Sequence, residues 1–154
     1  QAALERWADL LYDAWLHQRY VFLIGNGGSG LTASHMCEDL GKGTIRDEDL
    51  RDESKKRMKV LSLTDNVGWI MAVGNDLAYD QIFVQQLMNY GSAGDLLIAI
   101  SGSGNSPNIL AAVDVGNADI EHRTLHASIV NHGYEIASLA DELLCANGDP
   151  CAIG

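Results

Sequence analysis

The chain has 154 residues, of which 47% are hydrophobic and 20% charged, and this length and composition suit a single domain with its own core. Its formal net charge of −11 argues against a nucleic-acid backbone or an anionic membrane surface as a partner, because both would repel it at long range. An odd number of cysteines, with no signal-like leader and no apolar run of about 18 residues, favours a reduced cytoplasmic compartment.

Apolar residues recur at helical spacing over residues 2–18, which predicts an amphipathic opening helix. Its apolar stripe contains Trp7 and Trp15 and is wider than one small sheet would cover. We therefore expect this stripe to form an interface in a homo-oligomer, a dimer or a tetramer. The first strand, Tyr20–Ile24, follows it.

Helices and strands then alternate to the end of the chain. The remaining predicted elements are, in order, the helix Ser29–Leu40, a solvated stretch Arg46–Arg57, the strand Lys59–Leu63, a helix capped by Asp65 or Asn66 that runs to Val73, a turn at Gly74–Asp76, the helix Tyr79–Asn89, the strand Asp95–Ile100, the helix Asn108–Asn117 behind Ser106 and Pro107, the strand His122–Val130, the short helix Ile136–Ala140 and the strand Glu142–Cys145.

Strands that alternate with helices of about ten residues imply crossover connections, and hence a parallel sheet with helices on both faces. We predict one α/β domain over residues 1–154, a three-layer αβα sandwich around a five-stranded parallel sheet. In the flavodoxin-like strand order 2-1-3-4-5, the first and third strands are neighbours whose following helices leave to opposite faces. The loops after these two strands then flank one crevice.

Those two loops are rich in glycine and serine: Gly25-Asn-Gly-Gly-Ser29 and Ser101-Gly-Ser-Gly-Asn-Ser106. Neither contains Lys or Arg, so an anion there would be held by backbone N–H groups, hydroxyl groups and the positive end of a helix dipole. The structural alternative is that the glycines permit tight turns and the serines cap helices. The shared crevice favours ligand binding over that alternative.

Several motifs, in this order and spacing, resemble the sugar isomerase (SIS) domain family. They are, in chain order, Gly25-Asn-Gly-Gly-Ser29, His35 on the following helix, Leu63-Thr-Asp65, Gly74-Asn-Asp76 and Ile100-Ser-Gly-Ser-Gly-Asn-Ser-Pro-Asn108. Within the family the chain is most similar to the phosphoheptose isomerases, over a region from Tyr20 to Cys145. The resemblance implies a tetrameric enzyme that converts sedoheptulose 7-phosphate to D-glycero-D-manno-heptose 7-phosphate, often with zinc and with no nucleotide cofactor.

The resemblance also implies which positions bind the substrate. The sugar would contact the first loop and the turn after the second strand, whereas the phosphate would contact the second loop. The residues implied for the sugar are Asn26, Gly27, Gly28, Thr64 and Asp65, and those implied for the phosphate are Ser101, Gly102, Ser103 and Ser106.

His35 and Asp39 lie four residues apart, and hence on one face of the helix after the first loop. They could reach one ion or one substrate oxygen, while the alternative is a surface histidine near a solvated carboxylate. The resemblance implies that the pair binds zinc and that Asp39 is the proton-transfer base. The family has Glu at that position, one methylene longer. Glu38 is expected to point away, by about 100° of helix.

The resemblance further implies a C-terminal helix whose Gln and His complete the zinc site. We expect residues 1–154 to lack that helix, so that zinc binding is weak. His122, His126 and His132 do not match it, and we expect structural or surface roles for them rather than a metal pair.

Two functions remain open. The first is aldose–ketose isomerisation, which needs a base near carbon, an acid near the carbonyl oxygen and a remote phosphate grip. The second is a non-catalytic SIS module that senses a phosphosugar or scaffolds a protein partner, like the bacterial SIS protein that binds the replication initiator. Both share the loops and the oligomeric fold, and they differ in the acid–base and metal set.

Overall fold

The computed structural model describes residues 2–117 and 126–131. The α-helices are α1 (Ala2–Leu16), α2 (Gly27–Glu38), α3 (Val67–Asp76), α4 (Val84–Tyr90) and α5 (Pro107–Asn117). The strands are β1 (Tyr20–Gly25), β2 (Lys59–Ser62), β3 (Leu96–Ser101) and β4 (His126–Asn131). Short 3-10 turns and a π-helical turn, Asp39–Gly43, lie between them.

The four described strands form one parallel sheet in the order β2-β1-β3-β4. This order confirms the predicted parallel α/β architecture, with the first and third strands as neighbours. The described residues contain four strands rather than the predicted five. The predicted last strand, 142–145, and the short helix 136–140 lie outside the described residues, as does the start of the strand predicted over 122–130.

Apolar side chains cover both faces of the sheet. Successive side chains of a strand point to opposite faces, so Val21 and Leu23 join the side chains of α1 and α2. Phe22 and Ile24 join those of α3, α4 and α5 on the other face. The sheet is therefore the middle of three layers, and α2 and α5 leave β1 and β3 to opposite faces, as predicted.

Two helix boundaries differ from the prediction. Helix α2 begins directly after Asn26, because the Asn26 backbone is extended (φ −109°, ψ 144°) and the helical conformation starts at the following glycine. The segment 74–76, predicted as a turn, is the last turn of α3. The Leu77 N–H closes it by donating to the Val73 carbonyl at 2.9 Å.

The helix predicted over 79–89 is divided in two. A 3-10 turn, Tyr79–Gln81, comes first, and α4 begins only at Val84. Ile82 and Phe83 lie between them, and both side chains are buried in the core.

The tryptophans of α1 are partly covered by other residues of the chain. Trp7 packs against the core cluster beneath α1 and α2. The Trp15 Nε1–H donates to the Lys56 carbonyl at 3.4 Å, and the Lys56 ammonium lies 4.8 Å from the centre of the Trp15 ring. The stretch 46–57 holds a short 3-10 turn and otherwise follows the loop prediction. Both Trp side chains stay partly exposed, so the interface expected on this stripe stays a prediction.

A buried carboxylate fastens the start of β3 to β1. Asp95 is 3% exposed, and its Oδ1 accepts a hydrogen bond from the Tyr20 N–H at 2.8 Å. Its Oδ2 accepts another from the Ser92 N–H at 2.8 Å. Charge-assisted bonds of this kind offset the cost of burying the charge. The amino ends of the two central strands are thus held by one side chain.

Gly25 allows α2 to approach the end of β1. A Cβ atom on Gly25 would lie 2.6 Å from the carbonyl carbon and oxygen of Ser29, so the backbone would have to move. A Cβ atom on Gly28, three residues on, would meet nothing within 4 Å.

We therefore expect Gly25→Ala to lower the free energy of unfolding by about 1–3 kcal/mol, since the clash is with rigid backbone. Gly28→Ala is the matched control, and it should leave the stability within about 1 kcal/mol of the parent, because the site is open and helical. Chemical denaturation followed by circular dichroism measures both. Equal stabilities for the two variants would contradict the close approach.

Candidate functional site

The candidate site lies at the carboxyl edge of the sheet, where β1, β2 and β3 end. From β1 the chain adds β2 on one side and then returns to add β3 on the other. In parallel α/β sheets, ligands bind in the crevice at such a switch point. The first loop (residues 25–29) leads to α2 on one face, and the second loop (residues 101–106) leads to α5 on the other. The predicted juxtaposition of the two loops is therefore present.

Two asparagine side chains join the loops directly. The Asn26 Nδ2 donates to Oδ1 of Asn108 at 2.8 Å, and the Asn108 Nδ2 donates to Oδ1 of Asn26 at 2.7 Å. Asn108 is 2% exposed. Asn26 precedes α2 but makes no side-chain cap bond, because its amide is engaged by Asn108. Each amide keeps one N–H and one oxygen lone pair for other partners.

The glycines of the first loop present backbone N–H groups to the crevice edge. Gly27 and Gly28 are exposed and form the first turn of α2, where N–H groups have no partner within the helix. Gly27 has a positive φ of 51°, which a residue with a side chain adopts only at a cost. This arrangement suits a polar or anionic oxygen.

The serines of the second loop differ in their surroundings. Ser101 is buried, and its Oγ accepts a hydrogen bond from the Gly104 N–H at 3.1 Å, which shapes the loop. Ser103 is exposed, and its Oγ accepts from the Asn105 N–H at 3.2 Å. The Ser106 carbonyl accepts the first two hydrogen bonds of α5, both of 3.0 Å. Ser103 and Ser106 are therefore more open to a ligand than Ser101, and Gly102 beside them is exposed.

The turn after β2 contacts the first loop and α2. The Thr64 Oγ1 donates to the Gly25 carbonyl at 3.4 Å. Asp65 is exposed, and its Oδ1 accepts a hydrogen bond of 2.5 Å from the Ser34 hydroxyl of α2. Thr64 and Asp65 thus lie beside the first loop, as predicted, and Ser34 is a neighbour that the motifs did not indicate.

Gln86 of α4 supports the same turn from the interior. Its side chain is fully buried, and its Nε2 donates to the Leu63 carbonyl at 3.1 Å and to a carbonyl one helical turn earlier at 2.9 Å. Its Oε1 accepts from the Asn66 Nδ2 at 3.1 Å. The predicted side-chain cap of α3 is absent: Asn66 makes no cap bond, and its Nδ2–H is directed to Gln86 instead.

His35, Glu38 and Asp39 form the only cluster of potential metal ligands found among the described residues. One donor atom of each lies within 4.8 Å of the others, and all three residues are exposed. The His35 Nε2 is 3.5 Å from Oδ2 of Asp39, as the spacing predicted. The expectation that Glu38 points away is wrong, because its longer side chain reaches back across the helix to this pair.

Lys42 competes with any cation at this cluster. Its Nζ lies 3.1 Å from Oε1 of Glu38, and the hydrogen bond to that carboxylate raises the pKa of the Lys42 ammonium. One imidazole and two carboxylates suit zinc, although structural zinc sites have four ligands. The donor types suit a divalent cation, and one of the three donors is already paired with Lys42.

Cys37 is half-buried on α2 beside this cluster. Burial raises the pKa of the Cys37 thiol, the Asp65 carboxylate raises it further, and a hydrogen bond from the Ser62 backbone opposes them. The thiol is free, and with a raised pKa it stays protonated at neutral pH, which suits neither a nucleophile nor a thiolate ligand.

The other histidines and cysteines considered in the sequence analysis lie on β4 or outside the described residues. His126 lies on β4, whereas His122 and His132 lie outside the described residues, as do Cys145 and Cys151.

In the part of the chain that the structure describes, no helix has the length and apolar character needed to cross a membrane.

A family model described as "SIS domain" matches residues 1–124. The chain is 35% identical to a phosphoheptose isomerase of Buchnera aphidicola subsp. Schizaphis graminum over 145 residues, which cover 92% of this chain and 68% of the relative. It is 32% identical to a phosphoheptose isomerase of Helicobacter pylori over 149 residues, which cover 97% of this chain and 73% of the relative.

Solved structures show the same likeness. The phosphoheptose isomerase GmhA from Neisseria gonorrhoeae superposes with a TM-score of 0.72 and 28% identity over 88% of this chain and 66% of that chain. A phosphoheptose isomerase from Francisella tularensis superposes with a TM-score of 0.72 and 26% identity over 89% of this chain and 66% of that chain. This chain thus spans just under two thirds of each solved chain.

Proposed function

Since this chain belongs to the SIS domain family and groups there with the phosphoheptose isomerases, we propose that it binds a phosphorylated sugar and interconverts sedoheptulose 7-phosphate and D-glycero-D-manno-heptose 7-phosphate. The observation that carries this proposal is the meeting of two loops at one crevice, joined by the Asn26–Asn108 hydrogen bonds. One loop offers helix N–H groups and the other offers hydroxyl groups, so one ligand can contact both.

In this proposal the second loop holds the phosphate. Its residues are Ser101, Gly102, Ser103 and Ser106. The positive end of α5 lies behind them, and hydroxyl and backbone donors replace the absent lysine and arginine. The sugar then extends toward Asn26, Gly27 and Gly28 of the first loop and toward Thr64 and Asp65. Binding energy from the remote phosphate orients the reacting carbons.

Ser103→Ala combined with Ser106→Ala should weaken sedoheptulose 7-phosphate binding by about tenfold or more, because two donors to a charged group are lost. Calorimetric titration of parent and variant measures this. Thr32→Ala, which removes an exposed hydroxyl bonded to the Gly28 carbonyl within α2, is the control. An affinity of the double variant equal to that of the parent would remove the second loop as the phosphate site.

We assign the proton transfer to Asp39. Isomerisation of the ketose removes a proton from C1, and the C2 carbonyl oxygen gains a proton to give an enediol. The enediol is then reprotonated at C2 while O1 loses its proton, so that the C1 carbonyl of the aldose forms. Asp39 is an exposed carboxylate that directly follows the end of α2, the helix that begins at the first loop, and in this proposal it takes and returns the carbon-bound proton. Asp65 would orient a substrate hydroxyl.

Zinc belongs to the proposal as a weakly held ion. His35, Glu38 and Asp39 are the residues that would hold it. A divalent cation at this place would polarise the carbonyl oxygen of the substrate. His35 would offer a ring nitrogen as ligand, and the two carboxylates would supply negative charge to balance that of the ion.

Asp39→Asn should lower turnover by about 10²–10⁴-fold, the usual contribution of a general base, while sedoheptulose 7-phosphate binding changes little. Elemental analysis should find less than stoichiometric zinc in residues 1–154, since Lys42 must be displaced. A coupled isomerase assay and calorimetry measure the two effects, with the exposed Asp80→Asn as the control. Unchanged turnover in Asp39→Asn would remove Asp39 as the base, and tight stoichiometric zinc would contradict the weak site.

A non-catalytic sensing or scaffolding function is the second candidate. It is favoured by the shorter Asp39 side chain and by the Lys42 ion pair at the metal cluster. Phosphosugar binding without turnover in the parent would support this function and contradict the isomerase. Cytoplasmic location is proposed with either function, and the free thiol of Cys37 suits a reducing compartment.

We place the homo-oligomeric contact, dimer or tetramer, on α3. This helix is apolar on both sides: Trp69 and Ile70 pack against the core, yet Val67 is 60% and Met71 68% exposed. Leu31 of α2 is 74% exposed. A helix that is apolar on both sides requires cover on both. Each copy of the chain carries a net charge of −11, so two copies repel each other. Burial of apolar surface between them would offset this repulsion.

The parent should sediment as a dimer or tetramer at micromolar concentration, and Met71→Glu should shift it toward monomer, because a buried unpaired charge costs several kcal/mol. Tyr12→Glu on α1, whose parent side chain is 60% exposed, is the matched control and should leave the association unchanged. A monomeric parent, or a Met71→Glu variant that associates as the parent does, would overturn this interface.

A further inference from the structure

We propose that Asn108 is a positioning residue: through Asn26 it sets the separation of the first and second loops and thereby selects ligands that carry both a phosphate and a hydroxylated chain. The proposal rests on the proposed function, because it concerns how that same site distinguishes ligands that reach both loops from ligands that reach only one. Asn108 is the last residue of the second-loop motif that resembles the family, but the sequence analysis predicted no role for it.

The amide pair continues the β1–β3 ladder beyond its last backbone rung. The parallel register runs from Val21 opposite Leu96 to Gly25 opposite Ile100. After that pair the chain turns to opposite faces, so backbone hydrogen bonds between β1 and β3 cannot hold the two loops together. The next residue of the first loop is Asn26, and its side chain provides the link to Asn108.

The reciprocal geometry fixes more than a distance. Two antiparallel hydrogen bonds of 2.8 and 2.7 Å between planar amides set the separation and the relative orientation of the two side chains. The Thr64 bond to Gly25, at 3.4 Å, is a single and weaker link to the first loop. The Asn pair thus makes two short bonds where Thr64 makes one long bond.

Burial separates the roles of the two asparagines. Asn108 is 2% exposed, so it acts on a ligand through its partner rather than by contact. Asn26 is half-buried and retains one amide N–H and one lone pair beyond the pair. A ligand that bridges the loops depends on the separation that Asn108 sets, whereas an anion held by the second loop alone does not.

The test compares one ligand that bridges the loops with one that does not. Asn108→Asp keeps the shape of the side chain but opposes a carboxylate oxygen to Oδ1 of Asn26, so one hydrogen bond is replaced by repulsion. Sedoheptulose 7-phosphate affinity should fall about tenfold or more, and inorganic phosphate affinity should stay within about threefold. In turnover, KM should rise more than kcat falls. Asn89→Asp, at an exposed position of α4, is the matched control.

Two results would overturn the proposal. One is an unchanged sedoheptulose 7-phosphate affinity in folded Asn108→Asp, and the other is an equal loss of both ligands, which indicates a general structural defect. Asn26→Asp provides a second variant at a less buried position and should reproduce the selective loss, should Asn108→Asp fail to fold. Circular dichroism verifies folding in each case.

A readout that needs no sugar distinguishes this proposal from the proposed function. In the parent, the side-chain amide protons of Asn26 should be protected from hydrogen exchange, and Asn26→Asp should shift the backbone amide resonances of residues 101–106. If the parent bound no sedoheptulose 7-phosphate, the proposed function would fail while these measurements still decided whether Asn26 and Asn108 couple the loops. Unprotected amides and unshifted resonances would contradict the coupling.

Discussion

The site depends on how the two central strands are held to each other. Backbone hydrogen bonds join β1 and β3 along their length, and a side chain fastens the pair at each end. At the amino end the buried Asp95 carboxylate accepts from backbone N–H groups of both sides. At the carboxyl end, where the chains part to opposite faces, the Asn26–Asn108 amides replace the missing backbone rungs. The first loop and the start of α5 are held side by side in this way.

Features with a local signal could be predicted from the sequence. Short stretches of sequence are enough to predict the two loops, the alternation of strands and helices, and the His35–Asp39 contact. The structure contains all three. The side chains that support the site were missed. Gln86 and Asn108 each bond to residues far away in the chain, and such polar pairs follow no period. The direction of Glu38 was wrong because helical spacing gives the direction of a Cβ atom and not the reach of a long side chain.

The metal cluster and the loops differ in how well the surrounding structure holds their side chains in place. The loops are anchored by buried groups, whereas His35, Glu38 and Asp39 are exposed and share their charge with Lys42. Exposed pairs of this kind contribute little to stability and rearrange easily. The chemistry proposed for the end of α2 is therefore easier to change by substitution than the ligand binding proposed for the loops.

The departure of α2 and α5 to opposite faces has an electrostatic consequence. Both helices start at the crevice, so two positive dipole ends converge on it from above and below the sheet. The chain as a whole carries a net charge of −11, so its outer field repels anions while the crevice attracts them at short range. Dissolved salt screens the long-range repulsion more than the contact within the crevice. An anion therefore arrives faster as ionic strength rises, yet is retained by donors that salt weakens only slightly.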